Sequence, residues 1–158
     1  DTLINFGIVD EETIVQGGTN AKMREFHAAM GLCNVEYVDG WIAQRKELYE
    51  HYILQLKDVE GFTIPSLQPH VTTNYSYFPI LLDIDREGLV AYLKEHKIVA
   101  RKYFYPLVSH NKGFAGARIQ GTPRAEYYAE NVLCLPLYAD LTLAEIDTIC
   151  DIIQSKIQ

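Results

Sequence analysis

At 158 residues, 48% hydrophobic and with a net charge of −7, the chain holds enough apolar material for one domain, and a domain of this length buries roughly 70% of its unfolded surface. The acidic balance, with no cluster of Lys and Arg, argues against nucleic acid or an acidic membrane as partner. No apolar run of about 18 residues and no charged-then-apolar leader occurs, so a soluble, cytoplasmic protein with no membrane partner is expected. Cys33, Cys134 and Cys150 are odd in number and each lies in an apolar segment, which predicts buried, reduced thiols rather than a disulfide framework. No CxxC or other metal-binding spacing is present, so no metal is expected.

In chain order, residues 1–19 carry Asp10-Glu11-Glu12 and Gly17-Gly18 and read as an irregular tail of something larger. Asn20 is a good N-cap, and a helix is predicted to begin there. Met23, Phe26, Met30 and Cys33 share one face of it, while Ala21, Ala28, Ala29 and Leu32 make much of the remainder apolar. So little polar surface predicts burial in a larger protein or a subunit interface. Asp39-Gly40 breaks the pattern, and Trp41, Ile42, Leu48, Tyr49, Tyr52 and Leu56 describe a long amphipathic helix to about Asp58, as one piece or two in tandem.

Residues 71–82 read as a strand, with Pro79 suggesting an edge or a bulge. Asp83-Ile84-Asp85 offers an N-cap for a helix from about Arg86 to His96, with Leu89, Val90 and Leu93 facing inward. Residues 98–104 are a second strand candidate. The polar, glycine-bearing residues 105–122 are long for a plain connection and suggest a functional loop. Pro123 suits the first position of a short helix, Val132 to Leu135 a third strand, and Leu143, Ile146, Ile149, Cys150, Ile153 and Ile157 a clear amphipathic helix. The expected class is α+β: a small, mostly antiparallel sheet with helices packed on one face, preceded by a long helix.

Five segments in order carry a resemblance: Asn20-Ala21-Lys22-Met23-Arg24 onward with Asn5-Phe6-Gly7-Ile8 upstream, Trp41-Ile42-Ala43-Gln44-Arg45, Asn74-Tyr75-Ser76-Tyr77-Phe78-Pro79, Arg101-Lys102-Tyr103-Phe104-Tyr105-Pro106, and Leu133-Cys134-Leu135-Pro136. Together they resemble the C-terminal portion of the DegT/DnrJ/EryC1/StrS sugar aminotransferases. These are pyridoxal-phosphate (PLP) enzymes of the fold type I superfamily that aminate keto groups of nucleotide-linked deoxysugars. The resemblance implies residues 1–19 as the end of a PLP-binding large domain and residues 20–158 as the small domain with its interdomain helices. It also implies a homodimer with sites at the interface, glutamate as amino donor, and a role in amino-sugar or surface-polysaccharide (lipopolysaccharide) biosynthesis.

For single residues, the resemblance implies that Asn20 reaches the phosphate of the neighbouring subunit's PLP. Its plain alternative is a helix cap, and the two are compatible because a helix start stabilises anions. Lys22 and Arg24 would add charge for a phosphate or a nucleotide diphosphate, which makes Lys22 a candidate substrate contact; otherwise they are first-turn cations, which a helix N-terminus disfavours. Tyr103 and Tyr105 alternate along the expected strand and so face one side; the resemblance puts them at the sugar pocket, against a plain reading as core. His110, in the loop that follows, is a further candidate substrate contact, although Val108-Ser109 before it departs from the family's pattern. Nothing beside Glu25, His27, His70 or His96 raises them above background. The Schiff-base lysine that PLP chemistry needs falls upstream of this chain, so no catalytic residue is expected here and the chain alone should not transaminate. The competing class is a non-catalytic α+β ligand-binding or regulatory domain.

Overall fold

The structure, a computed structural model, describes residues 4, 5, 19, 21–110 and 121–157. The chain forms two compact units, Asp1–Gly40 and Trp41–Gln158.

In the first unit the Ala21 N–H donates to the Ile4 carbonyl at 3.0 Å, and α1 runs Glu25–Val35. The helix thus starts at Glu25 rather than Asn20. Residues 21–24 are not helical, and Arg24 occupies the cap position in an extended conformation (φ −83°, ψ 155°) with no side-chain capping bond. Within the chain no residue of α1 is buried, and Phe26 is 88% exposed; the burial expected for this helix was in a larger protein or a subunit interface, beyond the chain's own surfaces. Cys33 is exposed too, whereas Cys134 and Cys150 are buried as expected.

The next helix, α2 (Val38–Leu56), is continuous. Asp39 and Gly40, expected to break it, sit in its first turn, where an acidic side chain is favoured by the helix dipole. Three strands follow at Phe62–Thr63 (β1), Phe78–Leu82 (β2) and Val132–Leu135 (β3), forming one antiparallel sheet of order β1-β2-β3. Phe78 pairs with Leu135 and Ile80 with Leu133. These inward residues meet Leu48, Tyr52 and Leu56 of α2, Leu89 and Leu93 of α3 (Arg86–Glu95), and Ile146, Ile149 and Ile153 of α5 (Leu143–Ile157). Tyr52 is fully buried, stacks on Phe78 at 4.6 Å, and donates its hydroxyl to the Pro136 carbonyl at 3.0 Å. The bond to the Pro136 carbonyl offsets the cost of taking the hydroxyl out of water. The remaining helix, α4 (Pro123–Asn131), buries only Ala129 and lies along β2.

Local chemistry sets the boundaries. Asp85 caps α3 by accepting from the Glu87 N–H at 3.1 Å. At the start of α5, Glu145 accepts from the Thr142 N–H (2.8 Å) while Thr142 Oγ1 accepts from the Glu145 N–H (3.2 Å), a reciprocal capping box. Pro79 lies in the central strand yet needs no ladder donor: it pairs with Cys134 beyond the end of β1, whose register stops at Thr63 opposite Leu81. The expected strand over 71–82 shrinks to Phe78–Leu82 because Asn74 Oδ1 accepts from both the N–H (3.1 Å) and the hydroxyl (2.8 Å) of Ser76 and turns the chain, with Tyr75 at φ 52°. The strand expected at 98–104 is only a single bridge, Arg101 with Cys134. Past Arg101 the backbone turns, with the Tyr103 N–H on the Arg101 carbonyl (3.1 Å) and the Tyr105 N–H on that of Lys102 (2.8 Å).

Candidate functional site

Arg101 is pinned to the open edge of β3 by two backbone bonds to Cys134 (2.9 and 2.8 Å). The turn just after it swings Tyr103 back over the Arg101 side chain. The guanidinium lies 5.5 Å from the centre of the Tyr103 ring and donates from Nη1 to the Tyr103 hydroxyl. That bond raises the already high pKa of Arg101 further, keeping it cationic. Tyr77, one residue before β2, meets Tyr103 edge to face at 5.4 Å, and Phe104 stacks on Tyr103 at 4.9 Å. Tyr77, Arg101, Tyr103, Pro136 and Tyr138 line a cleft of about 410 Å³, within the range of small-molecule sites. Aromatic faces beside a planar set of donors suit a ring-bearing ligand rich in acceptor oxygens.

Tyr105 does not join that cleft. The alternation expected to put both tyrosines on one face ends with the strand at Arg101. Tyr105 instead lies half exposed with the Arg86 guanidinium 4.8 Å and Lys102 Nζ 5.9 Å from its ring centre. Lys102 pairs with Glu87, and this bond, helped by Arg86, holds the Glu87 carboxyl below the usual carboxylate range. His110 is exposed at the end of a short 3-10 turn, Val108–His110. Lys22 is exposed before α1. Asn20 lies outside the described residues.

Sequence reasoning passed over Tyr77 and Arg101, although both stood in quoted segments. No periodicity signalled them, because a turn after Arg101 rather than an extended backbone brings Tyr103 over its side chain. A larger apolar groove of about 840 Å³ runs between Ile53, Leu54, Phe62, Ile64 and Tyr75. Its charged lining residues, Glu50 of α2 and Lys57 just after it, do not converge with other polar groups as they would at a chemical site. Among the described residues no group of three or more His, Cys, Asp or Glu could hold a metal ion, and no helix is long and apolar enough to cross a membrane.

The residues before α1 suit a phosphate. Arg24 makes no side-chain capping bond, and Lys22 and Arg24 add two exposed cations at a positive helix end. An anion such as the PLP phosphate fits that stretch, and a cation does not.

The model of the DegT/DnrJ/EryC1/StrS aminotransferase family matches residues 1–154. Over 148 residues the chain is 42% identical to a dTDP-4-amino-4,6-dideoxy-D-glucose transaminase of Escherichia coli, covering 89% of this chain and 40% of that protein. A transaminase of the same name from Shigella dysenteriae is 37% identical, over 90% of this chain and 40% of the relative. The chain thus spans about 40% of the length of the curated relatives it matches. Among solved structures, DesI in the presence of its TDP-sugar product superposes with a TM-score of 0.87 at 28% identity, over 98% of this chain and 41% of DesI. DesV of S. venezuelae gives the same TM-score at 24% identity, over 99% and 43%, a likeness of fold.

Proposed function

The chain belongs to the DegT/DnrJ/EryC1/StrS aminotransferase family, whose members depend on PLP, and we propose that the enzyme carrying it aminates a nucleotide-linked keto-deoxysugar. The observation that carries the reading is 42% identity across 89% of the chain to a dTDP-4-amino-4,6-dideoxy-D-glucose transaminase. The matching substrate is a dTDP-linked 4-keto-6-deoxyhexose, with glutamate as amino donor.

The roles follow from the chemistry of each residue. Asn20 would hold the PLP phosphate, assigned in trans across a homodimer, and Lys22 and Arg24 would add charge for a phosphate or the substrate's nucleotide diphosphate, Lys22 as a substrate contact. PLP, when bound, supplies the electron sink and amino carrier. Tyr77 and Tyr103 offer aromatic faces to the sugar, and the cationic Arg101 offers donors to oxygens of the substrate while keeping the Tyr103 ring in place. Tyr105 and His110 would contact the substrate from the same stretch of chain.

The reading is tested with the enzyme carrying this chain, stripped of cofactor and resupplied. Conversion of dTDP-4-keto-6-deoxy-D-glucose is expected only when PLP and glutamate are both present. Saturation with PLP but no conversion of any nucleotide-linked keto sugar overturns it.

A further inference from the structure

We propose that Arg86 and Glu87, the first two residues of α3, are positioning residues for the substrate-facing segment Arg101–Tyr105, acting through Lys102 and Tyr105. The inference rests on the sugar-aminotransferase reading above.

Arg86 stands where helix physics does not favour it. A cation at a helix N-terminus opposes the dipole, and this one is buried at 8% exposure, where an unpaired charge is costly. Its partners account for it. Nη1 donates to the Ala129 carbonyl of α4 at 2.6 Å. Nε and Nη2 reach Glu87 Oε1 at 3.4 and 3.3 Å. The guanidinium carbon lies 4.8 Å from the centre of the Tyr105 ring.

Glu87 then extends the chain of contacts outward. Its second oxygen, Oε2, pairs with Lys102 Nζ, and that ammonium also faces the Tyr105 ring, at 5.9 Å. One carboxylate therefore joins two cations that flank the same tyrosine, and ties the start of α3 to both α4 and the 101–105 segment. The tie adds to the few contacts that hold that segment beyond Arg101: the two local bonds of the Tyr103 and Tyr105 N–H groups, a backbone bond of Tyr103 to the Cys134 thiol, and the ring contacts of Tyr77 with Tyr103 and Phe104. Lys102 sits between Arg101 and Tyr103, so fixing its side chain fixes the turn that brings Tyr103 over Arg101. Removing Arg86 would leave α4's carbonyl and the core exposed to collapse, but Glu87 and Lys102 are at the surface and can be changed without touching the core.

The test uses Glu87→Gln and Lys102→Met, singly and together, in the enzyme carrying this chain. A misplacement of about 1 Å at a binding group can cost up to roughly a hundredfold. The expected result is a rise of about tenfold in KM for the nucleotide sugar with KM for the amino donor unchanged; the Tm is unchanged in Lys102→Met, whereas Glu87→Gln, which takes the carboxylate from the buried Arg86, lowers it. The double variant is no worse than the worse single one, because both act through one link. Hydrogen exchange of the Tyr103 and Tyr105 amides is faster in each variant, with α5 unaffected. An unchanged sugar KM in an active enzyme, or a matched rise for both substrates with a lower Tm, overturns the positioning role alone. A wild-type enzyme that aminates no nucleotide sugar overturns instead the functional reading beneath it, and unchanged exchange at Tyr103 and Tyr105 then removes the positioning claim independently.

Discussion

Arg101 donates to the hydroxyl of Tyr103, whose ring centre lies 5.5 Å from the same guanidinium. Two residues apart in sequence, they are brought together by a turn, and Tyr77 meets the same ring edge to face at 5.4 Å. Tyr103→Phe keeps both ring contacts and removes only the acceptor. In the enzyme carrying this chain it should raise KM for the nucleotide sugar severalfold while leaving the Tm within a few degrees. Steady-state kinetics beside a thermal melt separate this from a packing role, which would lower the Tm and leave the sugar KM alone.

A glycine inside a helix normally costs about 0.5–1 kcal/mol relative to alanine. Gly88, the third residue of α3, is an exception: a Cβ there would meet Asp85 Oδ2 at 2.5 Å, and Asp85 is the residue that caps the helix. Gly88→Ala alone should therefore change stability little, the gain in propensity being offset by loss of a cap worth about 1 kcal/mol. In an Asp85→Ala background the same change should stabilise by about 0.5–1 kcal/mol. Urea unfolding of the four variants checks it.

Burial pushes the Cys150 thiol from 9.0 up to about 12, with Asp147 and Asp151 adding to the shift; Cys134 is also raised by burial. A folded pKa above the unfolded one stabilises fully below pH 9.0 and loses that contribution as pH rises toward 12. Unfolding midpoints should fall above pH 9.0, less so in Cys150→Ala than in wild type once each is referred to its own midpoint at pH 8. A thiol reagent at neutral pH should label exposed Cys33 at once, and Cys134 and Cys150 only on unfolding.

Where a single local rule governs an element, the sequence was enough to place it. Pro123 opens α4, Asp85 caps α3, the four residues Val132–Leu135 make β3, and the spacing of Ile146, Ile149, Cys150 and Ile153 gives α5. Strand ends were harder, because they depend on pairing with distant residues. Asn74 could be read as strand or turn until its side chain was seen to bind Ser76, and residues 98–104 have strand composition but find only Cys134 to pair with. The same non-local dependence hid the cleft: that Arg101 and Tyr77 converge on Tyr103 follows from the turn after Arg101, which no periodicity announces. Arg86 was equally illegible, since its reason for being buried lies in Ala129 and Tyr105.

The proposed in-trans role of Asn20 has its own genetic test. Subunits with Asn20→Ala are mixed with subunits lacking the Schiff-base lysine. If the asparagine serves the neighbour's site, a mixed dimer collects both defects in one site and leaves the other whole, so activity returns. Heterodimers that form but stay inactive exclude the assignment. A residue acting only as a cap would show lost stability of about 1 kcal/mol with PLP affinity unchanged.

The central claim, that the enzyme carrying this chain transfers an amino group to a nucleotide-linked keto sugar, is tested most directly by following the nitrogen. Glutamate labelled at its amino nitrogen is supplied with PLP and dTDP-4-keto-6-deoxy-D-glucose, and the sugar nucleotide is recovered and analysed by mass spectrometry and NMR. The account predicts the label bound to carbon 4 of the sugar, in a product whose keto oxygen is gone. Sugar nucleotides recovered with no labelled nitrogen, from an enzyme shown to be loaded with PLP, would contradict it.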